Sequence, residues 1–442
     1  MTRLRSTPDS ATASSEKRFS LDFWKFLFGQ TISNVGSSFT IFLLPLLVFK
    51  LTGSALNLAF ITAAEYVPYL LFGLIIGAWV DRVDRKRLMI YTDIAQSLII
   101  CSVPLLAALG LLPVWWLYVV GFVSSTLWIC FNTAEFGAVP SLVHKDSLVA
   151  ANGYLQASYS TATVVGPLLA GLLVALVPIP PVLLFDAVSF LLSASLLKLI
   201  STRFNADRVD ERSFGDLRRD VAEGLRFVLG HPILRNICLM MCLVNCIGFT
   251  VYTQLVLFAK ERLVVSDTQV GFLYAAGSVG MIALALAASP LRKHVSFSKV
   301  AIGTLMVGGS LIVLLASTSW YWAAVLLWAS IWGLVVLFDI NANSLWQQIV
   351  PDRLLGRVQS VVWVLSWSAI PLGAFIGGVA IEQTQDITLV YRIIGVMIFL
   401  IAFAFSFTAL GRAEHYLPQE AAEETKTKDE AKQGDSELKS TP

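Results

Sequence analysis

The apolar run Ala55–Val80 passes without a break in pattern into Gly77–Arg87, read Gly-Ala-Trp-Val-Asp-Arg-Val-Asp-Arg-Lys-Arg. That link carries Asp81, Arg82, Asp84, Arg85, Lys86 and Arg87, and a second apolar run starts at once at Leu88. About 20 apolar residues span a bilayer as a helix, and Lys and Arg stay on the cytoplasmic face. Two such segments joined by so short and basic a link describe a membrane hairpin whose turn lies in the cytoplasm. Only 14% of the 442 residues are charged, against about a quarter in soluble domains. An integral membrane protein is the class that fits. The net charge of +2 offers nothing to nucleic acid, and no nucleic-acid partner is expected.

Apolar runs recur along the whole chain. They predict helices near 21–50, 56–80, 88–110, 114–140, 149–176 and 180–201, then 233–260, 267–290, 298–317, 320–350, 356–383 and 386–411. The fold class is therefore an all-α membrane protein of twelve transmembrane helices. Residues 21–201 form a first six-helix bundle and 233–411 a second. Residues 202–232 link them, and 1–20 and 412–442 are polar tails expected to be disordered. In the linker, Leu217, Val221, Leu225 and Val228 recur at helical spacing, with Arg218, Arg219 and Arg226 elsewhere on the wheel. That pattern predicts an amphipathic helix on the inner membrane surface. Twelve crossings leave Lys50, Lys260, Arg262 and Arg392 on one side and the other 28 of the 32 Lys and Arg on the opposite side. So unequal a division places both termini in the cytoplasm of a multi-pass inner or plasma membrane protein.

The two bundles look like copies. Asn132 and Pro140 stand near the end of the fourth predicted helix, and Asn343 and Pro351 stand at the same spacing near the end of the tenth. The next helix in each case holds a Gly/Pro cluster: Gly166, Pro167 and Gly171 in the fifth, and Pro371, Gly373, Gly377 and Gly378 in the eleventh. Two parallel repeats about a central axis are a transporter architecture, with substrate handled near mid-membrane.

Charged and polar residues inside the spans are candidates for that handling, because a carboxylate in hydrocarbon costs a few kcal/mol or more. Glu65, Asp186, Asp339 and Glu135 are the candidate proton-coupling or substrate-binding acids; Glu135 also fits an ion pair near the interface, and Asp186 a hydrogen bond inside its own bundle. Gln30 and Asn34, and Asn245 and Gln254, form polar stripes that must face protein or a cavity. With Tyr66 and Trp332 they are the candidate cavity lining. The aromatic residues Tyr69, Trp328, Trp363 and Trp367 read mostly as packing, with stacking on a bulky or cationic ligand as the alternative where they face a cavity. The five cysteines all lie in apolar runs with no histidine beside them, so they read as small apolar packers. Neither a metal site nor a cofactor is expected. No phosphate-binding Gly-rich loop of the G-x-x-x-x-G-K-[ST] kind occurs, and no nucleophile–base arrangement, so neither ATP drive nor enzymatic chemistry is expected.

Gly77, Asp81, Arg82, Arg85 and Lys86 together resemble the signature between helices 2 and 3 of the major facilitator superfamily, with Asp84 standing where that family often has Gly. Gly166-Pro167-x-x-x-Gly171 is similar to the helix 5 signature of its antiporters, although Ala162 and Ala170 replace glycines of the fuller pattern. The segments Leu217–Val228 with His231-Pro232, Asn132–Pro140 and Leu355–Val358 resemble its drug:proton antiporter-3 branch, which includes macrolide and siderophore exporters. The resemblance implies two halves that rock to alternate access. It implies a gate in which Asp81 meets the start of helix 11 when the cytoplasmic side is closed. It further implies export of a hydrophobic or amphiphilic small molecule in exchange for protons, by a monomer in the bilayer. A lipid flippase on the same scaffold, and a membrane sensor that transports nothing, are the alternatives.

Overall fold

The structure is a computed structural model that describes residues 19–80, 82–144, 147–204, 214–292 and 297–411. The described chain is helical almost throughout. The first half holds α1 (Leu21–Thr52), α2 (Ala55–Val80), α3 (Arg85–Ala108), α4 (Val114–Leu142), α5 (Leu148–Leu173) and α6 (Ile179–Lys198). After α7 (Phe214–Gly230) come α8 (Pro232–Thr253), α9 (Leu255–Glu261), α10 (Asp267–Arg292), α11 (Phe297–Ser317), α12 (Tyr321–Ile349), α13 (Asp352–Thr384) and α14 (Ile387–Ser406).

The acids of the short links start helices. Asp84 caps α3 by accepting from the Arg87 N–H at 2.9 Å, so the residue that departs from the family signature has a local task. Asp386 caps α14; the Thr388 hydroxyl and the Leu389 N–H donate to it and hold its carboxyl below the usual carboxylate range. Large apolar side chains such as Leu98, Leu286 and Leu400 point outward, as helices facing lipid require.

The repeat is visible in the packing. In the first half α1 packs on α5 and α6, α2 on α4, and α3 on α4 and α6. Six spans later the same pattern recurs: α8 packs on α13 and α14, α10 on α12, and α11 on α12 and α14. The two halves meet mainly through α2 against α13 and α5 against α10.

Three elements differ from the sequence expectation. Eleven of the described helices are long and apolar enough to cross a membrane, and α5 is not among them. Its Asn152, Gln156 and Tyr159 are exposed, and Tyr159 lies in electrostatic reach of Tyr66 and Tyr252. That face looks into the space between the halves, and its polarity lowers the helix's hydropathy. The predicted helix 233–260 breaks at Gln254 into α8 and α9. Finally, the apolar face of α7 is not left for lipid. Val221, Leu225 and Val228 pack into the main core, and the helix lies against α8 and α13.

Candidate translocation site

The ends of the molecule are built differently. At the end where α1 finishes and α2 begins, the halves are joined. Asp267, the first residue of α10, is bridged by Lys50 of α1 and by Lys260 of α9, the latter at 2.5 Å. The Thr268 hydroxyl donates to the Gly171 carbonyl at 2.8 Å, and Gln254 Nε2 donates to the Ala55 carbonyl at 2.8 Å. The Ser54 hydroxyl meets Glu382 at 3.2 Å. Small residues permit this approach. A Cβ on Gly271 would stand 2.6 Å from the Pro167 carbonyl oxygen, and one on Gly378 would stand 2.8 Å from Ala59. So Gly171 and Pro167 meet the opposite half, whereas Gly166 seats α5 on Ser38 of its own half.

At the opposite end, where α2 finishes, contact between the halves fades. Among the described residues, a Cβ on Gly73 or Gly77 would meet no atom within 4 Å. The basic link is stitched to its own half instead. Arg85 lies over Gly137 and donates to its carbonyl at 3.0 Å and to the Phe204 carbonyl at 3.5 Å, and Lys86 donates to the Ile200 carbonyl. Asp22 accepts from the Ser201 and Thr202 N–H groups at 2.9 and 3.0 Å. The Arg82 N–H closes a turn onto the Trp79 carbonyl. Asp81 lies outside the described residues.

Between the two ends sits an aromatic cluster drawn from both halves. Tyr66 meets Phe249 at 5.0 Å between ring centroids, and Tyr69 meets Trp367 at 5.3 Å and Trp128 at 6.0 Å. Trp367 stacks on Trp363 at 5.7 Å. Tyr252 continues the chain to Phe249 at 5.3 Å and to Trp332 at 5.2 Å. Tyr66, Tyr69, Tyr252, Trp332 and Trp367 all keep some accessible surface, as residues lining an internal opening do. Glu65 stands among them, in electrostatic reach of Tyr66, Tyr69, Tyr252 and Tyr274, and is also partly accessible. The Ser125 hydroxyl donates to its backbone carbonyl at 2.5 Å and fixes α4 against α2 at that level. An anionic carboxylate beside aromatic faces is a site for an apolar cation, through charge and cation–π attraction.

The structure therefore brings Glu65, Tyr66 and Trp332 together. The other predicted residues stand elsewhere. Asp186 is sealed inside the first half, where the Thr40 and Ser189 hydroxyls donate to it. Gln30 is also buried there, and Asn34 is half-buried on the same helix. Glu135 and Asp339 are half-buried on α4 and α12. Asn245 donates to the Ser366 carbonyl at 3.2 Å within the second half, and Gln254 belongs to the joined end.

Two features escaped the sequence reading. Lys50, Lys260 and Asp267 form the ion cluster between the halves, although the two lysines were legible only as part of a charge count. The second is Asp93 on α3, which is 1% exposed. Its signal was the stripe Thr92, Asp93, Gln96 and Ser97 on an otherwise apolar helix.

The sequence pattern described as Major Facilitator Superfamily matches residues 26–374. The chain belongs to that superfamily. Among relatives of this major facilitator, Macrolide efflux protein A of Streptococcus pyogenes is 25% identical over 373 residues, covering 82% of this chain and 90% of that protein. Multidrug efflux pump Tap of Mycolicibacterium fortuitum is 27% identical over 366 residues, covering 80% and 87%. The fold matches a bacterial homologue of the iron transporter ferroportin in its inward-facing state at a TM-score of 0.68, with 18% identity and coverage of 88% and 100%. Against the outward-facing state of that homologue the TM-score is 0.55, with 19% identity and the same coverage. The chain is thus a multi-pass membrane transporter of small molecules, and its fold and relatives are those of transporters and not of enzymes.

Proposed function

We propose that the protein exports hydrophobic or amphiphilic small molecules, cationic ones included, in exchange for protons, by alternating access. One observation carries the reading: Glu65 stands in an aromatic cluster built from both halves, which are joined at the Lys50 end and part toward the Arg85 end. The charge division supports a cytoplasmic Arg85 end and cytoplasmic termini, and on that reading the state described is open inward. Glu65 then holds either a proton or the substrate's positive charge, because one carboxylate in a low-dielectric opening does not serve both at once. The aromatic faces bind the apolar body of the substrate. The efflux activities named for the two relatives support an export direction. Asp81 takes its part in the opposite state, when the cytoplasmic ends of α2 and α13 close.

Everted membrane vesicles holding an acid interior test this directly. Addition of ethidium or erythromycin dissipates the pH gradient in vesicles bearing the wild-type chain. The Glu65→Gln chain leaves the gradient intact at equal expression. Dissipation by the Glu65→Gln chain at the wild-type rate would refute the assignment.

A further inference from the structure

Behind the central opening, the first half encloses a second acid in unusual surroundings. Asp93 lies about 12 Å along α3 from Arg85. It is 1% exposed, and its Oδ2 has no hydrogen-bond partner among the described residues. The helices packed on α3 are α4 and α6. The titratable groups they turn toward Asp93 are Glu135 on α4 and Asp186 on α6, both acids. No Lys, Arg or His lies within ion-pairing distance of Asp93 among the described residues.

The Ser193 hydroxyl of α6 stands beside Asp93 and is a hydrogen-bonding neighbour of its carboxyl. Gln96, one turn along α3 and so on the same face, spends its Nε2 on the Ser124 carbonyl at 2.9 Å, and its Oε1 has no partner. The Thr92 hydroxyl is used on the Leu88 and Met89 carbonyls of its own helix. An ionised Asp93 would bury an unpaired charge beside two other acids, with its Oδ2 unpartnered among the described residues, inside hydrocarbon. A protonated Asp93 carries no charge and supplies an O–H donor on the face of α3 that also holds Gln96, whose Oε1 has no partner among the described residues.

We propose that Asp93 is a second proton-binding site, enclosed between α3, α4 and α6 and distinct from Glu65. It holds its proton in the state described. Adjacent residues of α4 touch both neighbourhoods: the Ser124 carbonyl receives Gln96 of α3, and the Ser125 hydroxyl binds the Glu65 backbone carbonyl of α2. Loss of the proton leaves a charge that α3 accommodates only by moving against α4 and α6. Binding of the proton follows from the geometry alone; its use in the exchange cycle rests on the proton-coupled reading above.

Infrared spectroscopy of the full chain in lipid nanodiscs tests the site without any substrate. At about pH 7, near which ordinary Asp is fully ionised, the wild-type protein shows a protonated-carboxyl carbonyl band that Asp93→Asn removes and Glu65→Gln retains. A spectrum unchanged by Asp93→Asn overturns the proposal. Should Asp93→Asn fail to fold, Gln96→Leu keeps the carboxyl but removes its acceptor, and it shifts the same band; no shift overturns the proposal equally. A band present in potassium but lost in sodium buffer at the same pH makes this a metal-cation site and also overturns it. Export lost in Glu65→Gln with the Asp93 band intact tests only the transport reading, so the two can fail separately.

Discussion

The Lys50 end and the Arg85 end hold the same helices in opposite ways. At the Lys50 end the fixed charges reach across: Asp267 of the second half takes Lys50 of the first, and backbones touch at Gly171 and Gly271. At the Arg85 end Arg85 and Lys86 reach the carbonyls of Gly137, Ile200 and Phe204 in their own half, and no described atom lies within 4 Å of a Cβ on Gly77. The contrast teaches that neither end is inherently a gate. Each is a set of small residues and charges able to satisfy itself within one half or across two, and among the described residues the polar contacts across the halves gather at the Lys50 end.

That comparison can be broken most severely at the glycine contact. Gly271→Leu forces a side chain into the Pro167 carbonyl. Overpacking of this kind costs about 1–3 kcal/mol, which predicts a shift of about 5- to 150-fold away from the joined Lys50 end. Cross-linking of cysteines placed on either side of that end reads the shift, and an undiminished yield counts against the contact. Next in size is Trp367→Ala. It removes a face worth about 1–2 kcal/mol to a bound cation and weakens ethidium binding by about 5- to 30-fold, measured by fluorescence titration. Equal weakening of an uncharged aliphatic probe would mean that Trp367 packs and does not recognise charge. Asp267→Asn is smaller, because Lys50 is 43% exposed and partly screened. A pair of that exposure is worth about 0.2–1 kcal/mol, so the joined end loosens by about 1.5- to 5-fold in the cross-linking assay. High salt reproduces the loss in the wild type but adds nothing in the variant.

Much of the architecture was legible because hydrocarbon imposes it. Long apolar runs, the Lys and Arg division and the Asn/Pro spacing predicted the helices and the repeat. What stayed hidden depends on faces and partners. The polar face of α5 was read as part of an ordinary span, since a run of residues does not show which side meets the opening. The break at Gln254 lacks a Gly or Pro signal, and α9 turns off where Gln254 is tied to Ala55. Lys50 and Asp267 are far apart in sequence and at helix ends, where charges are expected anyway. Asp93 was masked by the charged link a few turns before it. At the site, Glu65, Tyr66 and Trp332 could be picked out as polar or aromatic residues within spans. That Tyr69, Phe249, Tyr252 and Trp367 complete the cluster follows only from the way α2, α8, α12 and α13 cross.

The central claim is that the two ends exchange roles around Glu65. Spin labels on α2 and α13 at the Arg85 end, and on α1 and α10 at the Lys50 end, measure both separations in one preparation by pulsed electron resonance. Raising the pH, or adding ethidium, should shift the two distance distributions in opposite directions, one end opening as the other closes, with Glu65→Gln abolishing the response. Two ends that widen together, or that stay fixed while ethidium binds, would contradict alternating access in this protein.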